Sequence, residues 1–303
     1  MTLVVGVDIG GTKTSAGLVD SSGTLLAVRT LPTPAAQGPA AVLDTAAGLV
    51  AEVAFGAGDV TAVGVGSAGV VDPRRGVIVS ATGAITGWAG TDLRGEVSRR
   101  LGLPVTVGND VHAHALGEQW RGAAAGYADV LLVAVGTGIG ASVVLGGRVL
   151  RGAHSVAGHA GHVPVVAAAG RPCPCGGHGH VEAVASGPAM LAEYRARAAA
   201  AVAGLADVAR LAAQGDRIAV SVLTGGAAAL GSTIGGLMNV IDPEVVVVGG
   251  GVAACGELWW QALREGIAAE VLPALREVPV GPAVLGGDAA LLGAARMALE
   301  VAG

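Results

Sequence analysis

Histidine and cysteine residues cluster between Gly158 and Glu182. This glycine-rich stretch, GHAGHVPVVAAAGRPCPCGGHGHVE, holds four of the seven histidines and two of the three cysteines. Thiolate and imidazole groups suit tetrahedral zinc, and four protein ligands close its coordination shell against water. We therefore predict a structural zinc site in a loop over residues 158–182, with the ligands His162, Cys173, Cys175 and His180. The alternative is a surface loop with unrelated thiols, because the C-x-C spacing is tighter than the usual C-x2-C.

A glycine-rich turn near the start of the chain could bind phosphate. An apolar strand over residues 3–8 ends at Asp8 and is followed by Gly10, Gly11, Thr12 and Lys13. Glycine lets backbone N–H groups approach a phosphate because no Cβ stands in the way, and Asp8 could hold Mg²⁺ through water. The turn is not a P-loop, since the GxxxxGK[ST] spacing is missing. Taken alone the pattern is weak, and it favours a plain hairpin over a phosphate site.

A second glycine turn echoes the first. Two apolar runs, over residues 130–135 and 141–145, flank a GTGIG segment that contains Gly136, Thr137 and Gly138. The uncharged stretch over residues 130–147 is long enough to raise the question of a membrane span, but the glycine-rich centre favours two buried strands around a tight turn. The two glycine turns could hold one polyphosphate between them.

The pair Asn109-Asp110 follows another predicted strand, over residues 103–107. An aspartate at the C-terminal end of a strand is a candidate general base. The pair also directly precedes a predicted helix, and asparagine and aspartate are common helix N-caps. The residues themselves favour neither interpretation over the other.

Strand and helix patterns alternate along the chain, which predicts an α/β protein whose sheets are covered on both sides. The helices include one over residues 186–203 and one over residues 219–239, and the last strand is expected over residues 278–285. The 303 residues suffice for two domains, and 52% hydrophobic against 14% charged residues indicates a large core. The net charge of −5 without a basic run argues against a nucleic-acid partner.

The cellular setting is also predicted from the sequence. Three cysteines, two of them in a metal pattern, suit a reducing cytosol. Thr2 leads directly into a strand, so we expect no signal peptide and a cytoplasmic protein without membrane partners.

Several of these motifs together resemble the ROK family of bacterial sugar kinases and sugar-responsive repressors. The family signature G-E-x-G-H, followed after a gap by C-x-C-G-x-x-G-C-x-E, is similar to the chain from Gly158 to Glu182. The resemblance extends over nearly the whole chain through the segments 8–13, 109–110, 136–140, 243–250 and 285–289. Each motif is weak alone, but their combination is specific.

The resemblance implies an actin-like (ribonuclease-H-like) fold, with two α/β domains around a nucleotide and sugar cleft. The expected domains are residues 1–117, with a closing helix over 288–301 packed back on them, and residues 118–287. Both glycine turns would hold the phosphates of ATP, and Gly249 and Gly250 would lie beside its adenosine. Asp110 would be the catalytic base, while Asn109, His162 and Glu182 match sugar contacts. The family also implies a homodimer.

The chain departs from the family pattern mainly around the sugar. His159 replaces a glutamate that contacts sugar hydroxyls, and no asparagine occurs between Thr82 and Trp88. Ala68-Gly69 replaces a Pro-Gly pair, and His180 replaces a cysteine but remains a possible zinc ligand. A buried pocket that lacks a partner for a substrate hydroxyl discriminates strongly against that substrate. We therefore expect His159 to contact a modified sugar or a sugar-like cyclitol rather than ordinary glucose.

Three functions follow from the resemblance. The leading hypothesis is an ATP-dependent, Mg²⁺-dependent kinase of a sugar or cyclitol hydroxyl. The alternatives are a glucokinase proper and a non-catalytic sugar-binding regulator. A ROK repressor carries a winged helix-turn-helix ahead of its first strand, whereas the first strand here is expected from Leu3.

Overall fold

The computed structural model describes residues 2–199 and 201–302, which form two compact units. The first unit comprises Met1–Gly126, Val149–Ala157 and Val284–Gly303. The second unit comprises Tyr127–Arg148 and Gly158–Ala283. The first unit is therefore assembled from three separate segments of the chain.

The main sheet of the first unit has five strands in the order β3-β2-β1-β4-β7. Strands β1, β2 and β3 are antiparallel neighbours, whereas β4 and β7 run parallel to β1. A separate ribbon pairs β5 with β6. In chain order the elements are β1 (Leu3–Ile9), β2 (Lys13–Asp20), β3 (Leu25–Pro32), α1 (Pro39–Ala54), β4 (Val60–Ser67), β5 (Val70–Asp72), β6 (Val77–Ser80), α2 (Leu93–Leu101), β7 (Val105–Asn109) and α3 (Asp110–Arg121).

The sheet of the second unit repeats this topology, with the order β10-β9-β8-β11-β12. Strands β8 and β9 are antiparallel neighbours, and β11 and β12 continue the sheet in parallel with β8. The elements are β8 (Val130–Val135), β9 (Ile139–Leu145), β10 (Arg148–Val149), α4 (Glu182–Ala185), α5 (Gly187–Ala198), α6 (Leu205–Ala213), α7 (Arg217–Ile241), β11 (Val245–Gly249), α8 (Glu257–Glu270) and β12 (Val280–Pro282).

Alternating side chains cover both faces of the first sheet. Val5 and Val7 of β1 join the core formed with α1, while Val4 of the same strand joins the core formed with the last helix, α9 (Asp288–Leu299). This alternation is the period-2 pattern of a strand that is buried on both sides.

Helix α9 packs between the first sheet and α3, and its backbone comes very close to the backbones of both. A Cβ atom at Gly64 of β4 would lie 1.8 Å from the carbonyl oxygen of Ala294. A Cβ atom at Gly293 of α9 would lie 1.6 Å from the carbonyl oxygen of Ala113 on α3. Only glycine allows these backbones to approach so closely. The catalytic candidates at the start of α3 are thus attached to a tightly packed layer.

The core of the second unit lies between its sheet and the helices α7 and α8. Leu131 and Val133 of β8 pack with Leu223 and Leu230 of α7, and with the fully buried Trp259 of α8. Among the described residues, α7 is also the one helix that is long and apolar enough to cross a membrane. Of the 18-residue apolar stretch in this helix, 61% is buried inside the protein, as in the core helix of a globular unit. The uncharged stretch over residues 130–147 forms the β8–β9 hairpin and its following turn.

Two predicted elements extend more than two residues beyond the observed ones, while the strand expected over residues 103–107 is β7, two residues later, and the closing helix expected over residues 288–301 ends at Leu299. The helix expected over residues 186–203 is α5, which ends at Ala198 because Ala199 adopts a left-handed conformation with φ 47°; Ala200 lies outside the described residues. The final strand, expected over residues 278–285, is only β12. This strand lies at the sheet edge, is preceded by Pro279 and ends at Pro282, and neither proline has an N–H to donate.

Candidate functional site

Asn109 and Asp110 lie where β7 ends and α3 begins. Asn109 has extended backbone angles, and its Oδ1 accepts hydrogen bonds from the backbone N–H groups of Val111 at 2.9 Å and His112 at 3.2 Å. Asn109 is therefore the N-cap of α3. The helix-cap interpretation therefore holds for Asn109, and the role of Asp110 as a general base stays a prediction.

The amide group of Asn109 also orients Asp110. Its Nδ2 donates to the carbonyl oxygen of Gly69 at 3.0 Å and to Oδ1 of Asp110 at 2.8 Å. Because an asparagine side chain has two N–H donors and two acceptor lone pairs, these bonds and the two cap bonds engage it fully. Oδ1 of Asp110 also accepts from the backbone N–H of Val111 at 2.9 Å. Asn109 thus fixes the direction of the Asp110 carboxyl group.

Asp8 at the end of β1 lies within electrostatic reach of Asp110. Burial and, to a smaller extent, the negative charge of Asp110 raise the pKa of Asp8 to about 7, against the opposing effect of the positive charge of Lys13. Two carboxyl groups that repel each other in a poorly hydrated place favour a bound cation, which would restore the charge of Asp8.

The first glycine turn joins β1 and β2 as a hairpin. The backbone N–H of Gly10 donates to the carbonyl oxygen of Lys13 at 3.0 Å and closes the turn. Thr33, which follows β3, binds the turn twice: its hydroxyl donates to Gly10 O at 2.8 Å, and its N–H donates to Thr12 O at 2.9 Å. Lys13 is exposed at the start of β2.

The second glycine turn joins β8 and β9 and is tied to Glu182. Oε2 of Glu182, at the start of α4, accepts the backbone N–H of Ile139 at 2.7 Å. A Cβ atom at Gly138 would lie 2.8 Å from that oxygen, and one at Gly161 would lie 3.1 Å from it. The missing side chains therefore leave the space that the carboxyl group of Glu182 occupies.

The ligand set predicted for zinc is brought together in the second unit. One ligand atom from each residue lies within 4.8 Å of the others; the set is His162, Cys173, Cys175 and His180. Sγ of Cys173 is 3.7 Å from Nδ1 of His162, and Sγ of Cys175 is 3.3 Å from Nδ1 of His180. A tetrahedron with Zn–N and Zn–S bonds of about 2.0–2.3 Å has edges of about 3.3–3.8 Å, so the types of donor and these two distances fit zinc. Burial raises the pKa of the Cys173 thiol, which a bound cation would counteract.

His159 is exposed and lies beside this ligand set. Its ring is stacked on His162, with centroids 6.2 Å apart and an interplanar angle of 29°. It also lines a cavity of about 230 Å³ whose other lining residues are aliphatic or glycine, among them Leu131, Val143 and Leu237.

Gly249 and Gly250 follow the buried strand β11. Gly249 is the last residue of this strand, and Gly250 has φ 90°. A Cβ atom at Gly250 would lie 2.2 Å from the carbonyl oxygen of Val135, at the end of β8. Gly250 is therefore required both by its backbone conformation and by this close approach.

The described structure and the comparisons with known proteins define the class of this protein. The chain belongs to the ROK family, whose family model matches residues 4–301. Its fold is the actin-like α/β fold, and the predictions of family and fold class are confirmed.

Particular relatives cover almost the full length of both chains. The chain is 35% identical to a glucokinase of Thermotoga maritima, covering 98% of this chain and 97% of that protein. It is similar to the crystal structure of a ROK hexokinase from Thermus thermophilus, with a TM-score of 0.89, 38% identity and 99% of both chains covered. It is also similar to a ROK family glucokinase from Streptomyces griseus in complex with glucose and AMPPNP, with a TM-score of 0.84, 35% identity and coverage of 98% and 99%.

Some contacts at these positions were not predicted from the sequence. The hydrogen bond from Thr33 to Gly10 joins residues 23 positions apart, and the one from Asn109 to Gly69 joins residues 40 positions apart. No local spacing in the sequence therefore indicates them. Glu118 on α3 is completely buried and accepts hydrogen bonds from Val284 and Leu285. The sequence signal for this contact was the position of Glu118 itself, a charged residue next to Leu116 and Gly117 on the apolar side of the helix.

Proposed function

We propose that the chain is an ATP-dependent kinase that phosphorylates a hydroxyl group of a sugar or sugar-like cyclitol, with Asp110 as the general base. The observation that carries the proposal is the fixed direction of the Asp110 carboxyl group, set by Asn109 and the N–H of Val111. Phosphoryl transfer depends on positioning and on neutralising charge, and a carboxylate must accept the proton of the attacking hydroxyl. Near-full-length similarity to proteins named glucokinase and hexokinase supports the same class.

The other residues have separate proposed roles. Both glycine turns bind the phosphates of ATP, and Gly249 and Gly250 lie beside its adenosine. Mg²⁺, held by Asp8 through water, would neutralise charge on the phosphates. Zn²⁺, held by the two histidines and two cysteines of the loop over residues 158–182, would fix that loop.

The sugar contacts are proposed residue by residue. His162 and Glu182 bind substrate hydroxyl groups, and Oε1 of Glu182 is the oxygen that we assign to this contact because Oε2 accepts the N–H of Ile139. Asn109 acts as a positioning residue for Asp110, since its own donors and acceptors are engaged within the protein.

Replacing the proposed base tests the reaction type. We expect Asp110→Asn to lower kcat by about two to four orders of magnitude while ATP binding is nearly unchanged, because the variant keeps its shape but cannot accept the proton. The matched control is Asp59→Asn, which changes an exposed aspartate of the first unit that lies outside the site. ADP release with a panel of sugars and cyclitols is the readout. Activity within a few-fold of the wild type would show that Asp110 only begins the helix.

His159 is proposed to set the substrate. A carboxylate accepts two hydroxyl protons, whereas a neutral imidazole offers one donor and one acceptor. The aliphatic cavity beside His159 also favours a ring with a less polar substituent at that position. We expect kcat/KM for N-acetylated hexosamines or C7 cyclitols to exceed that for glucose, and His159→Glu to shift the preference toward glucose.

Glucose itself is the second candidate substrate. The similarity to glucokinases over nearly the full chain favours it. If glucose gives the highest kcat/KM of the panel in the wild type, the inference from His159 fails while the kinase proposal stands.

A further inference from the structure

A second cavity is lined entirely by residues of the first unit, and neither the glycine turn nor Asp110 is among them. Its volume is about 580 Å³, within the range of about 300–1,000 Å³ that is usual for small-molecule sites. Its walls come from the turn between β5 and β6, the start of α2, strand β7, the segment over residues 149–157 and the C-terminal end of α9.

Three arginine side chains from different parts of the chain line this cavity: Arg74, Arg94 and Arg151. Arg94 is held in place because its guanidinium group donates to the carbonyl oxygens of Pro73 and of Arg74, the latter at 3.2 Å. The guanidinium groups of Arg74 and Arg151 form no hydrogen bond or ion pair with another of the described residues. Planar guanidinium groups match phosphate oxygens with two parallel bonds each.

Two acidic residues share the lining. Oδ1 of Asp72 accepts the backbone N–H groups of Arg74 at 2.9 Å and Arg75 at 3.2 Å, so its carboxyl group caps the β5–β6 turn. Glu300, at the end of α9, lines another wall. The guanidinium groups outnumber the carboxyl groups, and a carboxyl group at the wall is an acceptor for ligand hydroxyls. This mixture fits an anion that also carries hydroxyl groups better than a bare anion.

A buried hydroxyl group at the cavity wall is a second observation that points to a polar ligand. Oγ1 of Thr106, on β7, is buried at the cavity wall and has no hydrogen-bond partner among the described residues. Buried polar groups normally have partners, and a polar ligand atom in the cavity would supply one. Ser155, also in the lining, has φ 60°, a left-handed conformation that non-glycine residues adopt mainly where surrounding structure or function imposes it.

We propose that this cavity binds a phosphomonoester of a polyol, such as a sugar phosphate, at a site separate from the one that binds ATP. The phosphate group contacts Arg74 and Arg151, with Arg94 as a fixed third positive charge. Ligand hydroxyls contact Glu300 and Thr106. The choice of a sugar ester deepens the proposed kinase function, because such an ester is the product class of that reaction, but binding does not depend on turnover.

Calorimetric titration of the full chain without ATP tests the site, with glucose 6-phosphate, inorganic phosphate and glucose as separate probes. We expect Arg74→Ala and Arg151→Ala each to weaken glucose 6-phosphate binding at this site about tenfold, because each removes a charge-assisted contact. The matched control is Arg75→Ala: Arg75 is adjacent and exposed but does not line the cavity, and we expect less than a twofold change. Thermal unfolding of each variant verifies that it is folded.

The outcomes separate this proposal from its alternatives. Equal affinity for inorganic phosphate and glucose 6-phosphate at the arginine-dependent site would overturn the assignment of a polyol ester. Unchanged binding in an Arg74→Ala, Arg151→Ala double variant would overturn the site itself, since all binding would then occur elsewhere. Neither result depends on kinase activity, so failure of the proposed reaction would be visible separately in the Asp110→Asn experiment.

Discussion

Glu118 offers a sharp test of how the first unit is held together. Its side chain is fully buried, and its Oε2 accepts the N–H of Ala123 at 2.8 Å. Its Oε1 accepts the N–H groups of Val284 at 3.0 Å and Leu285 at 2.9 Å. Ala123 lies just before the chain first leaves the first unit, and Val284 is where the chain returns to it for the last time. One carboxyl group therefore joins two distant segments of the backbone.

The expected cost of removing this group follows from its three bonds. In Glu118→Gln the new amide oxygen can replace Oε1, but the NH₂ group then faces the N–H of Ala123, so one donor loses its acceptor. An unsatisfied buried donor costs about 1–3 kcal/mol, and we expect about 2 kcal/mol for this variant. Glu118→Ala leaves all three donors without an acceptor. Because Val284 is exposed and water can reach part of this region, we expect about 3–5 kcal/mol rather than the full sum.

Urea unfolding of the wild type and both variants measures these values. Trp120 lies two residues after Glu118 and near Arg296, 5.6 Å from ring centroid to guanidinium carbon, and its fluorescence reports on this region. The matched control is Glu52→Gln on the exposed side of α1, which should change the free energy of unfolding by less than about 0.5 kcal/mol. A loss in Glu118→Ala no larger than in this control, or a larger loss in the glutamine variant than in the alanine variant, would refute the reasoning.

Two further predictions concern the metal site and pH. Purified protein should contain one zinc per chain by metal analysis. The Cys175→Ser variant should lose its zinc to a chelator, and its loop over residues 158–182 should become less ordered. Purified protein that contains no zinc and has the same stability with and without chelator would contradict the assignment. Burial lowers the pKa of His114, so the folded protein keeps this ring neutral while the unfolded chain takes up a proton near pH 6.5. The free energy of unfolding should therefore decrease through His114 as the pH falls below about 6.5. The raised pKa of Asp8 has the opposite effect on stability over this range. The difference in free energy of unfolding between wild type and His114→Gln, measured against pH, separates the contribution of His114 from that of Asp8.

The sequence predicts those features of the fold that depend on neighbouring residues. The first hairpin, strand β8 and the junction of β7 with α3 follow from local patterns of apolar residues, glycine and capping residues. The grouping of the candidate metal ligands was also predictable, because two histidines and two cysteines lie within one short loop. The bonds of Asn109 to Gly69, of Glu182 to Ile139 and of Glu118 to Val284 were not, since each joins residues that are distant in the chain. Such contacts depend on the assembled structure rather than on spacing.

The position of α9 has a consequence for the order in which the protein can form. This helix covers one face of the first sheet, yet it is synthesised after every strand of that sheet and after the whole second unit. During translation the second unit, which is complete by Ala283, can fold before the first has its final layer. Until then the face with Val4, Val19 and Ala62 stays without its cover, which is the kind of apolar surface that chaperones bind. Slow translation of α9 would therefore prolong the time during which the nascent chain exposes this apolar face and can aggregate.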